Sequence, residues 1–334
     1  MWLYQRLRSR SPHGPHASAV DDAGTDDSLV DADGEDSDQH YLSGFHAMGN
    51  FVTLYADGAV RLLVPDLEYS RASADSDADS VHRFSAFDYG EKVVEHVAAT
   101  QRANEAAMAA AAEMFERATV ADGVLHLDDE VLTSERVRRT IEETLRDEGC
   151  EMDECIVASG LESAQGHAVG TGPIEAGEPV IVDVVPRDRE TRYVADMTRT
   201  FVKGDPDDEV REWYDVTRKA FDAALDAVEP GVTGAAVNHA VCDVFEREGY
   251  PTLRTDEATD DGFTSSTGHG VGLDVHERPK LSWGGEELRP GHVVTVEPGL
   301  YEQGTGGVRL EDLVVVTETG YETLTDYPRE LAVV

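Results

Sequence analysis

The sequence predicts a mixed α/β (α+β) protein in which one helix–helix–strand–strand unit occurs twice, behind a small αβ N-terminal domain. Three observations carry this. Residues 174–185 (IEAGEPVIVDVV) and 288–299 (LRPGHVVTVEPG) align without a gap, each with a glycine, a β-branched run and an acid, Asp183 or Glu297. Each follows two helical stretches and precedes a second strand-like run with another acid, RYVADMTRTFV with Asp196 and GVRLEDLVVV with Glu311. Nearer the start, VTLYADGAVRLLV places two apolar runs around Asp57-Gly58, a hairpin signal because both residue types tolerate the positive φ of a tight turn.

The elements follow in order. Residues 1–27 are rich in Ser, His, Pro, Asp and Gly, too polar to bury a core, and are expected to be disordered. Residues 28–90, with SLVDAD, HYLSGF and the hairpin, are expected to form the small αβ domain. Residues 91–117 lack Pro and Gly and carry many alanines, the composition of a long helix. A second helix is expected over 133–148, opening on Thr133-Ser134-Glu135 and stopped by Gly149. The pair recurs over 207–228 and 233–248, the latter stopped by Gly249.

Composition excludes several functions. Asp and Glu number 68 against 28 Lys and Arg, a formal charge of −40, so nucleic acid and anionic membrane would repel the chain. Yet 40% of residues are hydrophobic, too many for a solvated acidic tail. The acids are spread over the whole length, and four lysines stand against 24 arginines. That distribution suits a surface adapted to a salt-rich cytoplasm; a polyanion mimic would concentrate its charge on one segment. No apolar run approaches the ~18 residues of a membrane span. Arg6, Arg8 and Arg10 precede no apolar h-region, so a cytoplasmic location is expected. Cys150, Cys155 and Cys242 are too few and wrongly spaced for a disulfide framework or a zinc site, and are expected to be free thiols.

The chemistry lies in the repeated frame. Acids inside runs such as VIVDVV and VVTVEPG must be neutralised or paired, because a lone buried charge is costly. If the two strand pairs face each other, four carboxylates converge, and a cation between them relieves their repulsion. Oxygen-rich sites suit hard divalent ions, and an added imidazole suits Mn, Fe, Co or Zn. STGHGVGLDVHERP (266–279) offers that imidazole: His269 and His276 flank a turn where Gly268, Gly270 and Gly272 allow close backbone approach. The alternative for these glycines, dinucleotide binding, lacks the required strand-to-helix turn.

Taken together, IVDVV, ADMTRT, TGHGVGLDVHE, VEPG and GVRLED resemble the M24 metallopeptidases over roughly residues 91–330. VASGLESAQGHAVG adds a match through His167, and HYLSGF resembles part of the creatinase-type N-terminal domain. The resemblance implies a pita-bread catalytic domain over 91–334 and a site for two divalent ions, Mn first, with Co, Zn or Fe possible. By that resemblance Asp183 binds one ion, His269 and Glu297 the other, and Asp196 and Glu311 bridge both. It further implies that His167 and His276 contact substrate, and that Arg309 holds a bridging carboxylate. Glu297 would shuttle a proton while a bridging hydroxide attacks the amide. A peptide substrate and a homodimer are implied as well. The short connection between Glu297 and Glu311, 14 residues, resembles the prolidase and Xaa-Pro aminopeptidase branch. Two departures stand out: Asp183 and Asp196 are 13 apart, two more than usual, and Ser265 occupies a position where prolidase-like members place a histidine. A catalytically silent peptide- or partner-binding protein, or a hydrolase of a non-peptide amide, are the alternatives to an Xaa-Pro peptidase.

Overall fold

The computed structural model describes residues 28–32, 37–47, 51–56, 58–65, 67–83, 86 and 89–333. The expectation of disorder over 1–27 therefore lies outside the described residues, as does Asp57. By its internal packing the chain divides into two units, Met1–Gly90 and Glu91–Val334.

In the first unit, β1 (Ser28–Ala32), α1 (Ser37–Ser43), β2 (Phe51–Ala56), β3 (Ala59–Val64), α2 (Tyr69–Asp75) and β4 (Ser80–Arg83) form one sheet of order β1-β2-β3-β4 with two short helices. The β2–β3 hairpin is present, with Val52 opposite Leu63, and Gly58 at φ 72° in its turn. Phe45, Phe51, Leu62, Val64 and Ala72 make its small core.

The second unit opens on α3 (Tyr89–Arg117), followed by a small three-stranded sheet, β5 (Thr119–Ala121), β6 (Val124–Leu127) and β7 (Glu130–Val131). Then come α4 (Ser134–Asp147), β8 (Cys150–Ser159), a 3-10 turn at Gly160–Ala164, β9 (Pro179–Asp188) and β10 (Met197–Val202). The second half repeats the plan with α5 (Asp208–Ala227), α6 (Gly234–Arg247), β11 (Gly268–Gly270), β12 (Glu277–Leu281) and β13 (Val293–Val296). It closes with β14 (Gly299–Glu302), β15 (Gly306–Arg309), β16 (Asp312–Val316), β17 (Tyr321–Thr323) and β18 (Ala332–Val333).

The repeat reaches the helix caps. Thr133 accepts from the amide of Arg136 and Thr233 from that of Ala236, each satisfying one free N–H of a first turn. Gly149 (φ 83°) and Gly249 (φ 95°) then take the left-handed conformation that ends α4 and α6. Each half has its own core. Met108, Phe115, Ile141, Leu145, Val182 and Phe201 seal α3 and α4 onto the sheet β18-β10-β9-β8. Trp213, Phe221, Phe245, Leu281, Val294 and Val314 seal α5 and α6 onto the sheet β12-β11-β13-β16-β17.

The second half departs from a simple hairpin. β13 and β16 pair antiparallel, Val296 opposite Asp312, but the β14–β15 ribbon is inserted between them. Glu297 and Glu311 thus lie on connections beside the strands instead of within them, and Asp196 lies just before β10; only Asp183 is inside a strand. The halves meet along β10. The fully buried Arg199 donates to the carbonyls of Glu311 (2.7 Å) and Thr198 (2.9 Å) and pairs with Asp312 (2.8 Å), so a β10 side chain grips the start of β16. Among the described residues no helix is long and apolar enough to cross a membrane.

Candidate metal centre

Asp183, Asp196, His269, Glu297 and Glu311 come together where β9 and β10 face β11 and β13. Two threonines set the carboxylates. The Thr198 hydroxyl donates to Glu311 Oε2 (2.8 Å), and that of Thr295 donates to Glu297 Oε1 (3.2 Å) while accepting the amide of His269 (3.0 Å). Each threonine is two residues from an acid, Thr198 after Asp196 and Thr295 before Glu297, which is the same-face spacing of extended chain. That alternation was the only sequence signal for them.

His269 is the centre of the cluster. Its Nδ1 is 3.2 Å from the carbonyl of Gly270, which leaves Nε2 turned to the acids, 3.2 Å from Glu297 Oε1 and 3.8 Å from Asp196 Oδ2. Ligand-type atoms of Asp196, His269 and Glu311 all lie within 4.8 Å of one another, and all three residues are buried. Burial, then repulsion from Glu311, Asp183 and Glu297, pushes the Asp196 carboxyl well above its ordinary range. Burial and the charges of Glu297 and Asp183 do the same to Glu311. Glu297 is half-buried, and desolvation raises its carboxyl, but His269, with Arg309 and Thr295, outweighs this and holds it below the usual range. Reciprocally His269 holds its proton more tightly than a free imidazole, burial notwithstanding.

The donor set fits divalent cations. Asp183 Oδ1, Asp196 Oδ1 and Glu311 Oε1 are buried oxygens with no hydrogen-bond partner. Such oxygens are expensive unless a proton or a cation meets them, and three in one cluster with an imidazole make a cation the better match.

Arg309 is buried beside the cluster and pairs with Asp183, not with Asp196 or Glu311, the two acids that the resemblance makes bridging. Its Nη2 donates to Asp183 Oδ2 (2.6 Å), its Nε to Thr198 Oγ1 (3.1 Å), and its Nη1 to the Gly166 carbonyl (3.1 Å) and Tyr301 Oη (2.8 Å). Asp196 and Glu311 lie on connections facing His269, whereas Asp183 projects from mid-strand towards β15, where Arg309 can reach it. Tyr301 was missed in the sequence because GLYE reads as an apolar strand; only the β14–β15 register brings its phenol to Arg309. His276 is exposed, its ring 4.3 Å from that of His269, and partial burial and the neighbouring His269 lower its proton affinity. His167 is exposed in the segment after the 3-10 turn, and Ser265 is half-buried, its hydroxyl 3.3 Å from the Ser266 carbonyl.

The sequence profile of metallopeptidase family M24 matches residues 95–318, and that of the creatinase/prolidase N-terminal domain matches residues 19–146. The chain belongs to metallopeptidase family M24. This M24 chain has a creatinase-type N-terminal domain and the pita-bread catalytic domain. It is 39% identical over 201 residues to the uncharacterized peptidase YqhT of Bacillus subtilis, covering 59% of this chain and 54% of that protein. To an Xaa-Pro dipeptidase of Pyrococcus furiosus it is 36% identical over 228 residues, 66% of this chain and 62% of the relative. These two matches thus span less than two thirds of either relative. An Xaa-Pro dipeptidase of Pyrococcus horikoshii matches at 28% identity over 332 residues, 87% of this chain and 91% of the relative. Among solved structures, the prolidase from Pyrococcus furiosus superposes with a TM-score of 0.64 at 25% identity, covering 93% of this chain and 99% of that one.

Proposed function

We propose that this M24 peptidase hydrolyses Xaa-Pro bonds with two divalent ions, Mn²⁺ first among them. The observation that carries the metal reading is the set of three unpartnered carboxylate oxygens around His269. The proline preference is supported by the names of the Pyrococcus relatives. Asp183 would hold one ion, His269 and Glu297 the other, and Asp196 and Glu311 would be shared between them. Bound there, divalent ions supply Lewis acidity for the scissile carbonyl and acidify water towards neutral pH.

The chain's own groups divide the remaining work. Arg309 locks one oxygen of Asp183, so only the other is free to ligate. Thr198 does the same for Glu311, leaving Oε1 unpartnered. Glu297 takes a proton and delivers it to the leaving nitrogen, its carboxylate aimed by Thr295. His276, its proton affinity lowered by partial burial and by His269, donates an N–H to the substrate carbonyl oxygen, and His167 lies exposed to meet the peptide. Proline's leaving nitrogen carries no N–H, so the recess around it need satisfy no donor there. Ser265 leaves that recess roomier than a histidine would. A homodimer is part of the same reading.

The test is hydrolysis of Xaa-Pro and Xaa-Ala dipeptides in molar salt, by chain stripped of metal and reloaded with Mn²⁺. Xaa-Pro should be the better substrate, and Ser265→His should raise the Xaa-Pro to Xaa-Ala ratio of kcat/KM. A chain that cleaves Xaa-Ala and ignores Xaa-Pro overturns the assignment to the proline branch. One that cleaves neither when fully loaded overturns the peptidase reading.

A further inference from the structure

The turn between β9 and β10 is long, and it does more than reverse the chain. Asp188 Oδ1 folds it by accepting the amides of Glu190 (2.9 Å) and Thr191 (2.6 Å) and the Thr191 hydroxyl (2.9 Å), and Arg192 adopts a left-handed φ of 69°. So folded, the turn reaches across to the other half. The amide of Val194 donates to the Gly272 carbonyl (2.9 Å). Arg187 Nη1 donates to the Leu273 carbonyl (2.5 Å) and to the Arg192 carbonyl (3.0 Å), while Nε and Nη2 fork onto Asp153 Oδ2 (2.7 and 2.5 Å). Gly272 and Leu273 belong to the segment 271–276 between β11 and β12, which ends at His276.

His276 itself is poorly held. It is exposed, and its ring makes no hydrogen bond to another described residue; its contact is the ring of His269 at 4.3 Å. Its place is therefore set by the backbone that carries it. The pairing of β11 with β12 slips between His269 and Gly270, so that Gly270 faces Glu277, and the Val271 amide donates to the Val293 carbonyl (3.0 Å); the ladder holds the two ends of the segment and leaves the carbonyls of Gly272 and Leu273 to Val194 and Arg187. Arg187 supplies a rigid planar fork, only 14% exposed, joining β8, the β9–β10 turn and the His276 segment.

We propose that Arg187, anchored by Asp153, is a positioning residue that straps the 271–276 segment and so sets His276 for contact with the substrate. This rests on the peptidase reading above, in which His276 meets the scissile carbonyl. The turn made by the long Asp183–Asp196 spacing adds to the strap, since its Val194 holds Gly272 beside the Leu273 that Arg187 holds from β9.

The experiment uses the full Mn²⁺-loaded chain in molar salt, with Arg187→Met, Arg187→Lys, His276→Ala and the Arg187→Met/His276→Ala double variant. Hydrogen–deuterium exchange is expected to rise over 271–276 in Arg187→Met with bound metal unchanged. On an Xaa-Pro dipeptide, Arg187→Met should lose roughly 10- to 100-fold in kcat/KM, the scale of a misplaced contact. Arg187→Lys should recover part of that, since it keeps the charge without the fork. If Arg187 acts through His276, the double variant is no worse than His276→Ala alone. Unchanged exchange over 271–276, or losses that multiply in the double variant, overturn the proposal while wild-type turnover leaves the peptidase reading standing. A wild type that cleaves no peptide sinks that reading and the substrate role of the strap with it.

Discussion

Asp196 and Glu311 are electrostatically strained. Each is buried, each is pushed towards protonation by the other carboxylates, and each keeps an oxygen without a partner. If both are shared ligands, Asp196→Ala or Glu311→Ala should weaken both ions together, by roughly tenfold or more. Metal analysis after graded chelation checks this, and clean loss of one ion with the other held at full affinity contradicts the sharing. The three cysteines are free and buried, as their number and spacing suggested. Burial raises the thiol of Cys155 to about 12 and those of Cys150 and Cys242 to about 11. These values exceed the unfolded thiol value of about 8.5. The thiols therefore favour the fold fully below that pH, and this contribution is lost as pH rises towards 11–12. Iodoacetamide at pH 8 should leave all three intact in the native chain and label all three after unfolding.

At the scale of elements, a buried ion pair helps join the two halves. Arg199 on β10 and Asp312 at the start of β16 are almost fully buried, and Arg329 closes the other oxygen of Asp312 at 2.5 Å. Asp312→Ala leaves a guanidinium buried without its partner and should cost about 3–5 kcal/mol of stability. A paired Arg199→Met/Asp312→Leu change should recover much of it, because breaking one side of such a pair is worse than replacing both. Denaturant unfolding of the three forms checks the sign. Close backbone approach matters equally beside the centre. A Cβ on Gly268 would stand 2.1 Å from the Thr295 carbonyl, so the glycine before His269 lets β11 lie against β13. The helices were legible because their signals are local: Thr133 and Thr233 open α4 and α6, and Gly149 and Gly249 close them. The β14–β15 insertion was not, since its four-residue strands leave no period distinct from the β16 run that follows.

For the whole molecule the formal charge of −40 is a source of self-repulsion in dilute buffer. Exposed ion pairs among the described residues, such as Arg117–Glu113, Arg146–Glu142 and Lys219–Glu248, are worth little singly and do not offset such repulsion. Salt is expected to do so. Between ~0.1 and ~3 M KCl the screening length falls from ~10 Å to below ~3 Å, and the melting temperature should climb across that series. A flat melting temperature would remove the case for a salt-adapted surface.

The sequence by itself determined the family, the twofold plan and the carboxylate and imidazole types of the centre. Those features are written in cap residues, β-branched runs and motifs such as TGHG and GVRLED, each spanning a few neighbouring positions. The partners of each side chain were decided only by the tertiary structure. Arg309 turned to Asp183 and Tyr301, Thr198 to Glu311, and Arg187 to Leu273, across 126, 8, 113 and 86 positions of chain. Hydrogen bonds over such separations depend on how two sheets and an inserted ribbon settle against one another. No local pattern encodes that register, because it is the packing of two separate cores that sets it.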